Sequence, residues 1–239
     1  MTLRSAALTD IGKVRENNED SPIHDPALGL YGVADGVGGL PGGAEASAMV
    51  VEILTKVLRE TDPKAERLPN LRRMIREANM AVVELGRKIS PMYGIASTLT
   101  FGCLRGDTLH FGHIGDSHCY LWRDGEITLL TEDHNVENDA RRRGESIVHL
   151  RLSERAKGAL TRCMGQSYPP EADVFEKALL PGDRVLFATD GVYRLVADSE
   201  LSQSLECGKE PETILADLIG LANRRGGIDN ATGVVLMLD

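Results

Sequence analysis

Four aspartates in this 239-residue chain stand where an apolar run meets a turn, and their types and spacing are the features most able to do chemistry. Asp35 follows Leu30-Tyr-Gly-Val-Ala, Asp116 follows the run from Leu109 to Gly115, Asp190 follows the run from Arg184 to Thr189, and Asp229 precedes Thr232-Gly-Val-Val-Leu-Met-Leu238. An Asp-Gly pair after an apolar run ordinarily closes a two-residue hairpin. Asp124-Gly125, flanked by extended runs, fits that reading. Asp35 does not, because a glycine-rich corner, residues 36 to 43, and then a helical pattern follow it. Glycine lets the backbone there approach a ligand closely.

Carboxylates that converge repel one another and are driven toward protonation unless cations neutralise them. Carboxylate and carbonyl oxygens with water select Mg²⁺ or Mn²⁺, whereas zinc would call for imidazole or thiolate. Two such ions roughly 4 Å apart activate water for metal-assisted hydrolysis. Upstream, Arg15 is followed by Glu19 and Asp20. A guanidinium there can clamp a phosphoryl group in bidentate fashion, or pair with Glu16 or Glu19 on the surface. The glycines of residues 36 to 43 lack a Gly-Lys-Ser/Thr ending, and Pro41 takes the last glycine position of a dinucleotide fingerprint.

The elements that must position these acids follow from periodicity. Residues 3 to 8 and 30 to 34 read as strands, with a polar surface loop over residues 10 to 20 between them. Met49, Val50, Ile53, Leu54, Val57 and Leu58 make an apolar face on a helix over 44 to 58, and Leu71, Met74, Ile75, Ala78, Val82, Leu85 and Ile89 make a stripe on a second. Runs at 97 to 104, 108 to 114, 118 to 122 and 127 to 130, reversed at Arg105-Gly106-Asp107 and Asp124-Gly125, predict an antiparallel meander. Residues 133 to 158 read as a helix and a mobile loop. Strands are expected at 172 to 178, 184 to 189 and 232 to 238, with a helix from about Glu210 to Asn223. Val234 to Leu238 is apolar on both faces and belongs between layers. Strands grouped apart from helices give α+β, resolved as a four-layer αββα sandwich of two central, mostly antiparallel sheets flanked by helices. One domain over 1 to 239 is expected, because no linker or charge block divides the chain.

Apolar content of 42% indicates an ordinary globular protein, and a net charge of -9 disfavours nucleic acid and favours cations. Cys103, Cys119, Cys163 and Cys207 lack Cys-x-x-Cys spacing and read as buried free thiols in a reducing compartment. Neither a signal peptide nor a membrane span is read, so a cytoplasmic, monomeric protein without membrane partners is the expectation.

Taken together, Arg15-x-x-Asn18-Glu19-Asp20, Ala34-Asp35-Gly36-x-Gly38-Gly39, Gly94-x-x-Ser97-Thr98, Gly115-Asp116-Ser117, Thr189-Asp190-Gly191 and Asp229-Asn230-x-Thr232 resemble, in this order, the bacterial branch of the metal-dependent PPM (protein phosphatase 2C-like) serine/threonine phosphatases. The resemblance spans nearly the whole chain. It implies hydrolysis of phosphoserine and phosphothreonine by a metal-activated water, without a phosphoenzyme, on phosphorylated proteins whose kinase is of the bacterial Ser/Thr type. It implies that Asp35 bridges two Mn²⁺ or Mg²⁺ ions, that Asp190 and Asp229 complete one site, and that Glu19 and the Gly36 carbonyl serve the other. Asp20 would act nearby through water, Asp116 would serve a third, weaker site, Arg15 would clamp phosphate, and residues 135 to 160 would be the family's variable flap.

Two positions depart from the family. Val37 stands where animal relatives carry a histidine that protonates the leaving group, which leaves the general acid unassigned and makes a water at the Asp116 site the candidate. His118 stands where relatives often carry arginine, on the same strand face as Asp116; it reads as a satisfied structural histidine, with help to leaving-group chemistry as the alternative. His134 is expected as a neighbour of a helix cap, and Arg141-Arg-Arg143 as a solvated face. Two rivals remain open at this point: a non-catalytic regulatory module on the same fold, and a phosphatase for small phosphate esters or phosphotyrosine.

Overall fold

The computed structural model describes residues 2–39, 41–60, 70–145, 152–206 and 208–239. Among them, ten strands form two five-stranded antiparallel sheets. The strands are β1 (Leu3–Asp10), β2 (Asp20–Asp25), β3 (Leu30–Asp35), β4 (Leu99–Arg105), β5 (Thr108–Ile114), β6 (His118–Arg123), β7 (Glu126–Leu129), β8 (Asp173–Ala178), β9 (Arg184–Ala188) and β10 (Ala231–Leu238). One sheet runs β1-β10-β9-β6-β7 and the other β2-β3-β4-β5-β8.

The helices lie outside. α1 (Gly43–Arg59) and α2 (Leu71–Ile89) bury Val50, Leu54, Met74, Ala78 and Val82 against Leu30, Ala34, Leu99 and Phe101 of the second sheet. The Asn70 side chain caps α2 by accepting the Arg73 amide at 3.2 Å. Two short helices, α3 (Val136–Arg142) and α4 (Glu154–Lys157), flank a stretch that lies outside the described residues, and the one-turn α5 (Asp190–Tyr193) follows β9. α6 (Asp198–Glu206) and α7 (Pro211–Arg224) cover the first sheet through Leu201, Leu205, Ile214, Leu218 and Ala222. Between the sheets Tyr31, Val33, Phe111, Leu121, Phe187, Val234 and Leu236 interdigitate, with Phe111 stacked on Phe175 at 4.8 Å. Each such side chain, fully removed from water, contributes roughly 1.5–3 kcal/mol. β10 sends Val234 and Leu236 into this layer and Val235 and Met237 toward the helices, as its apolar faces require.

The four-layer sandwich is as the sequence predicts, but the meander is not. β4 pairs with β5 and β6 with β7, yet β5 and β6 lie in different sheets. The chain changes sheet at Gly115-Asp116-Ser117, where Gly115 has φ 109° and a Cβ would fall 2.7 Å from the Thr98 side chain. β6 then pairs with β9. Hydrophobic alternation sets which face is buried and carries no signal for this switch. Asp124-Gly125 does close a two-residue hairpin, with φ of 52° and 87°. Four elements were not expected: β2, inside a stretch read as loop at its start, and the short helices α4, in a stretch read as mobile loop, α5 and α6. Cys103 and Cys119 are buried free thiols and Cys163 is half-buried, whereas Cys207 lies outside the described residues. Among the described residues no helix is long and apolar enough to cross a membrane.

Candidate metal centre

Strand register builds the first half of the site. Asp20 at the start of β2 lies directly opposite Asp35 at the end of β3. The Asp35 backbone is fixed from the other side: its amide donates to Thr98 Oγ1 at 3.0 Å and its carbonyl accepts the Thr98 amide at 2.8 Å. Beyond it, the Gly36 amide donates to the Glu19 carbonyl at 3.0 Å. A Cβ on Gly36 would sit 2.3 Å from the Gly43 carbonyl oxygen, so only glycine fits where the corner folds against the start of α1. The Glu19 carboxylate accepts the Gly43 amide there, an anion at the positive end of a long helix.

The second half comes from the other sheet. Asp190 begins α5 directly after β9, and Asp229 immediately precedes Asn230 and β10. Asn230 ties this edge to the N-terminal loop: its Nδ2 donates to the carbonyls of Ile11 and Asn17, each at 2.9 Å, and its Oδ1 accepts the Glu19 amide at 2.8 Å. The Thr189 hydroxyl donates to Asp20 Oδ2 at 2.8 Å and accepts the Thr232 amide at 3.0 Å, bridging the sheets. These bonds explain why Asn and Thr recur beside the acids. They hold the backbones of carboxylates that would otherwise move apart.

Arg15, Glu19, Asp35, Gly36, Asp116, Asp190 and Asp229 all line one cavity of about 460 Å³, together with Gly38, Thr98, Arg155 and Arg194. The acids are strained electrostatically. Burial, reinforced by Asp20, Asp190, Asp116 and Asp229, pushes the Asp35 carboxyl well above the carboxylate range. Burial also lifts Asp20 to about 7 and, with help from Asp190 and Asp133, Asp116 to about 6. Asp190 and Glu19 are raised, again by burial first. Two guanidinium groups offset part of this charge. Arg15 Nη2 binds Asp229 Oδ2 at 2.7 Å, and Arg194 reaches Asp190 Oδ2 at 3.2 Å and Asp116 Oδ2 at 3.5 Å.

As the side chains stand, no three acidic, histidine or cysteine groups among the described residues are gathered closely enough to hold a metal. The donor set nevertheless fits a hard cation. It is made of carboxylates and a backbone carbonyl, its carboxylates are under-neutralised, and its cavity is open at the rim. Three of the acids that line it, Asp229, Asp190 and Asp116, are turned toward arginines.

Each site residue named from sequence can now be placed. Six acids approach one another as strand-end logic requires, but Asp20 sits behind the cavity wall, 8% exposed, and meets the site through Thr189. Arg15 pairs with Asp229, neither Glu16 nor Glu19 being its partner. His118 is structural: Nε2 meets Asp133 Oδ1 at 2.9 Å, Nδ1 meets the Tyr120 hydroxyl at 2.8 Å, and the ring stacks on Tyr193 at 3.6 Å. His134 stands next to the helix cap, as expected, and has a longer-range role besides. It is wholly buried, its Nδ1 accepts the Gly115 amide at 3.1 Å, and the cap of α3 is Asn135. Arg141 and Arg143 pair with Glu137 and Glu145, and Arg142 with Glu132. Of the segment expected as a flap, residues 146–151 lie outside the described residues, and Arg155, Gly158 and Leu160 line the cavity. Sequence reasoning missed Arg194 and Arg155. The signal for Arg194 was present, four residues after Asp190 in a short helix.

The chain is thus an αββα sandwich with an acid-lined cavity where its two sheets meet. Residues 17–212 match the family described as protein phosphatase 2C, and the chain belongs to that family. It is 34% identical, over 98% of its length, to the serine/threonine protein phosphatase PstP of Mycobacterium tuberculosis, of which it spans 45%. A solved Streptococcus agalactiae serine/threonine phosphatase superposes over 100% of both chains with TM-score 0.87 and 31% identity. The catalytic domain of PstP, solved with two manganese ions, superposes over 99% of both chains with TM-score 0.84 and 32% identity.

Proposed function

We propose that this chain is a manganese- or magnesium-dependent protein serine/threonine phosphatase that removes phosphate from phosphoserine and phosphothreonine and so opposes a Ser/Thr kinase. The observation that carries this reading is the gathering of Glu19, Asp35, Asp116, Asp190 and Asp229, from both sheets, around one cavity with Arg15 at its rim. Asp35, at the centre of the group, would be shared by two ions. Glu19 and the Gly36 carbonyl would complete one coordination sphere, Asp190 and Asp229 the other, and Asp116 would serve a weaker third. Bound as a pair, such ions supply Lewis acidity and a water of lowered pKa at neutral pH.

The chain's own groups would do the rest. Arg15 has Asp229 as its partner and is 39% exposed, so its guanidinium can leave the carboxylate and clamp two phosphoryl oxygens. Gly38 keeps that route clear, because a Cβ there would fall 2.9 Å from Arg15 Nη1. Asp20, held by Thr189, would orient water from behind Asp35. Thr98 keeps the Asp35 backbone from shifting as charge changes in front of it.

The test is hydrolysis of a phosphothreonine peptide titrated with Mn²⁺, using the native protein beside Asp190→Asn. Turnover should need the ion and should fall by roughly 10²–10³-fold in the variant, a scale typical of removing a group that stabilises the transition state. Activity that survived both chelation and the substitution would overturn the assignment.

A further inference from the structure

Arg194 is unlike the other cations of the cavity. It is held in place by an anchored turn: Tyr193, its neighbour in α5, stacks on His118 at 3.6 Å and donates its hydroxyl to the Asp116 carbonyl at 2.9 Å. His118 is itself held by Asp133 and Tyr120. From this support the Arg194 guanidinium extends between two carboxylates that no backbone bond joins, with Nη1 on Asp190 and Nη2 toward Asp116. Asp116 has burial and two neighbouring carboxylates against it, and the guanidinium is the largest charge that relieves it.

Resting on the reading given under Proposed function, we propose that Arg194 is a built-in counter-cation for Asp116 and Asp190, which competes with any divalent ion for the Asp116 side of the cup. A guanidinium and a divalent ion cannot both occupy the space between these carboxylates. Their mutual repulsion at about 5 Å, even with water-like screening, corresponds to roughly tenfold or more in affinity. The Arg194 side chain is 53% exposed, so a high concentration of ion can displace it into solvent. The ion that Glu19 and the Gly36 carbonyl would hold beside Asp35 meets no hydrogen bond or ion pair from Arg194 among the described residues, whereas the ion completed by Asp190 would share that carboxylate with the guanidinium. The positioning residues are therefore Tyr193 and His118, and the acting group is Arg194.

The experiment measures Mn²⁺ binding to the full chain by isothermal titration calorimetry and by the electron paramagnetic resonance signal of free Mn²⁺, which read occupancy without turnover. Four proteins are compared: native, Arg194→Ala, Arg194→Lys and Arg194→Ala with Asp116→Asn. Circular dichroism establishes that each is folded. Arg194→Ala should fill its weakest class of site at roughly tenfold or more lower Mn²⁺ than the native protein. Arg194→Lys, which keeps the charge, should lie close to native, and Asp116→Asn should erase the gain. If the native protein binds two ions and Arg194→Ala matches it in number and affinity, the counter-cation role is wrong while the proposed function stands. A gain that persists without the Asp116 carboxylate also overturns it. If no protein in the set binds Mn²⁺, both readings fall.

Discussion

Asp116→Asn should make the metal-free protein more stable, and the size of the gain should depend on pH. In the fold the Asp116 carboxyl is 8% exposed and its pKa is lifted from an ordinary 3.8 to about 6, chiefly by burial and then by Asp190 and Asp133. A carboxyl whose folded pKa lies above its unfolded value holds its proton more tightly when folded. Its contribution to stability is therefore complete below the unfolded pKa and is lost as pH rises through the folded one. At pH 8 the ionised group costs about 3 kcal/mol, from about two pKa units at 1.36 kcal/mol each. At pH 4.5 it is largely protonated in the fold and costs only about 1 kcal/mol. Asparagine has nearly the same shape and no charge, so it removes the cost.

Urea unfolding in excess chelator, at pH 8 and pH 4.5, reads this directly. The variant should exceed the native protein by about 3 kcal/mol at the higher pH and about 1 kcal/mol at the lower. For a chain of this length the former corresponds to a rise of about 6–12 °C in melting temperature. Added Mn²⁺ should narrow the difference, because ions neutralise the native carboxylate and find less to bind in the variant. Equal gains at the two pH values would show that charge burial is not the cause. No gain at pH 8 would refute the electrostatic account of the cup.

Two further outcomes follow from backbone approach. A Cβ at residue 191 would fall 1.9 Å from the Asn230 carbonyl, so Gly191→Ala should destabilise by about 3 kcal/mol or more in thermal unfolding; Gly220→Ala in α7, which meets only the Arg224 side chain, should be neutral or stabilising by up to about 1 kcal/mol. At Gly43 the added methyl would fall 2.6 Å from Glu19 Oε1, the mobile end of a side chain. Gly43→Ala should therefore leave the melting temperature of the chelated protein near native while raising the Mn²⁺ needed for half-maximal activity by roughly tenfold, the scale of one weakened charge-assisted ligand.

The acids were legible because strand ends leave a mark in sequence. An apolar run that stops at Asp35, Asp116 or Asp190 gives the position of the carboxylate along the chain and the strand that delivers it. What the run does not carry is its sheet. Leu109–Ile114 and His118–Trp122 look like successive strands of one meander, and only the crowding of Gly115 against Thr98 shows why the chain leaves one sheet for the other. β2 was hidden for a related reason: Pro22, His24 and Asp25 dilute its alternation, and its pairing with β3 is a tertiary fact. His134 was legible as the neighbour of a helix cap, whereas its bond to the Gly115 amide, which joins positions 19 residues apart, leaves no local mark.

The same asymmetry explains why the arginines were harder to read than the acids. A carboxylate at a strand end is placed by backbone register, so Asp35 must face Asp20 whatever their side chains do. Arg15 and Arg194 reach their partners through long flexible stems, and their choice is made by the surrounding field. Arg15 had two carboxylates within four residues along the chain and bound neither, taking Asp229 from the far end of the chain, just before β10. That choice follows from the charge excess of the cup, which draws in any cation whose stem can reach it. A fold that fixes six acids by backbone and leaves its cations on long side chains would keep the acids in place if a divalent ion replaced a guanidinium, an exchange that would need only side-chain motion.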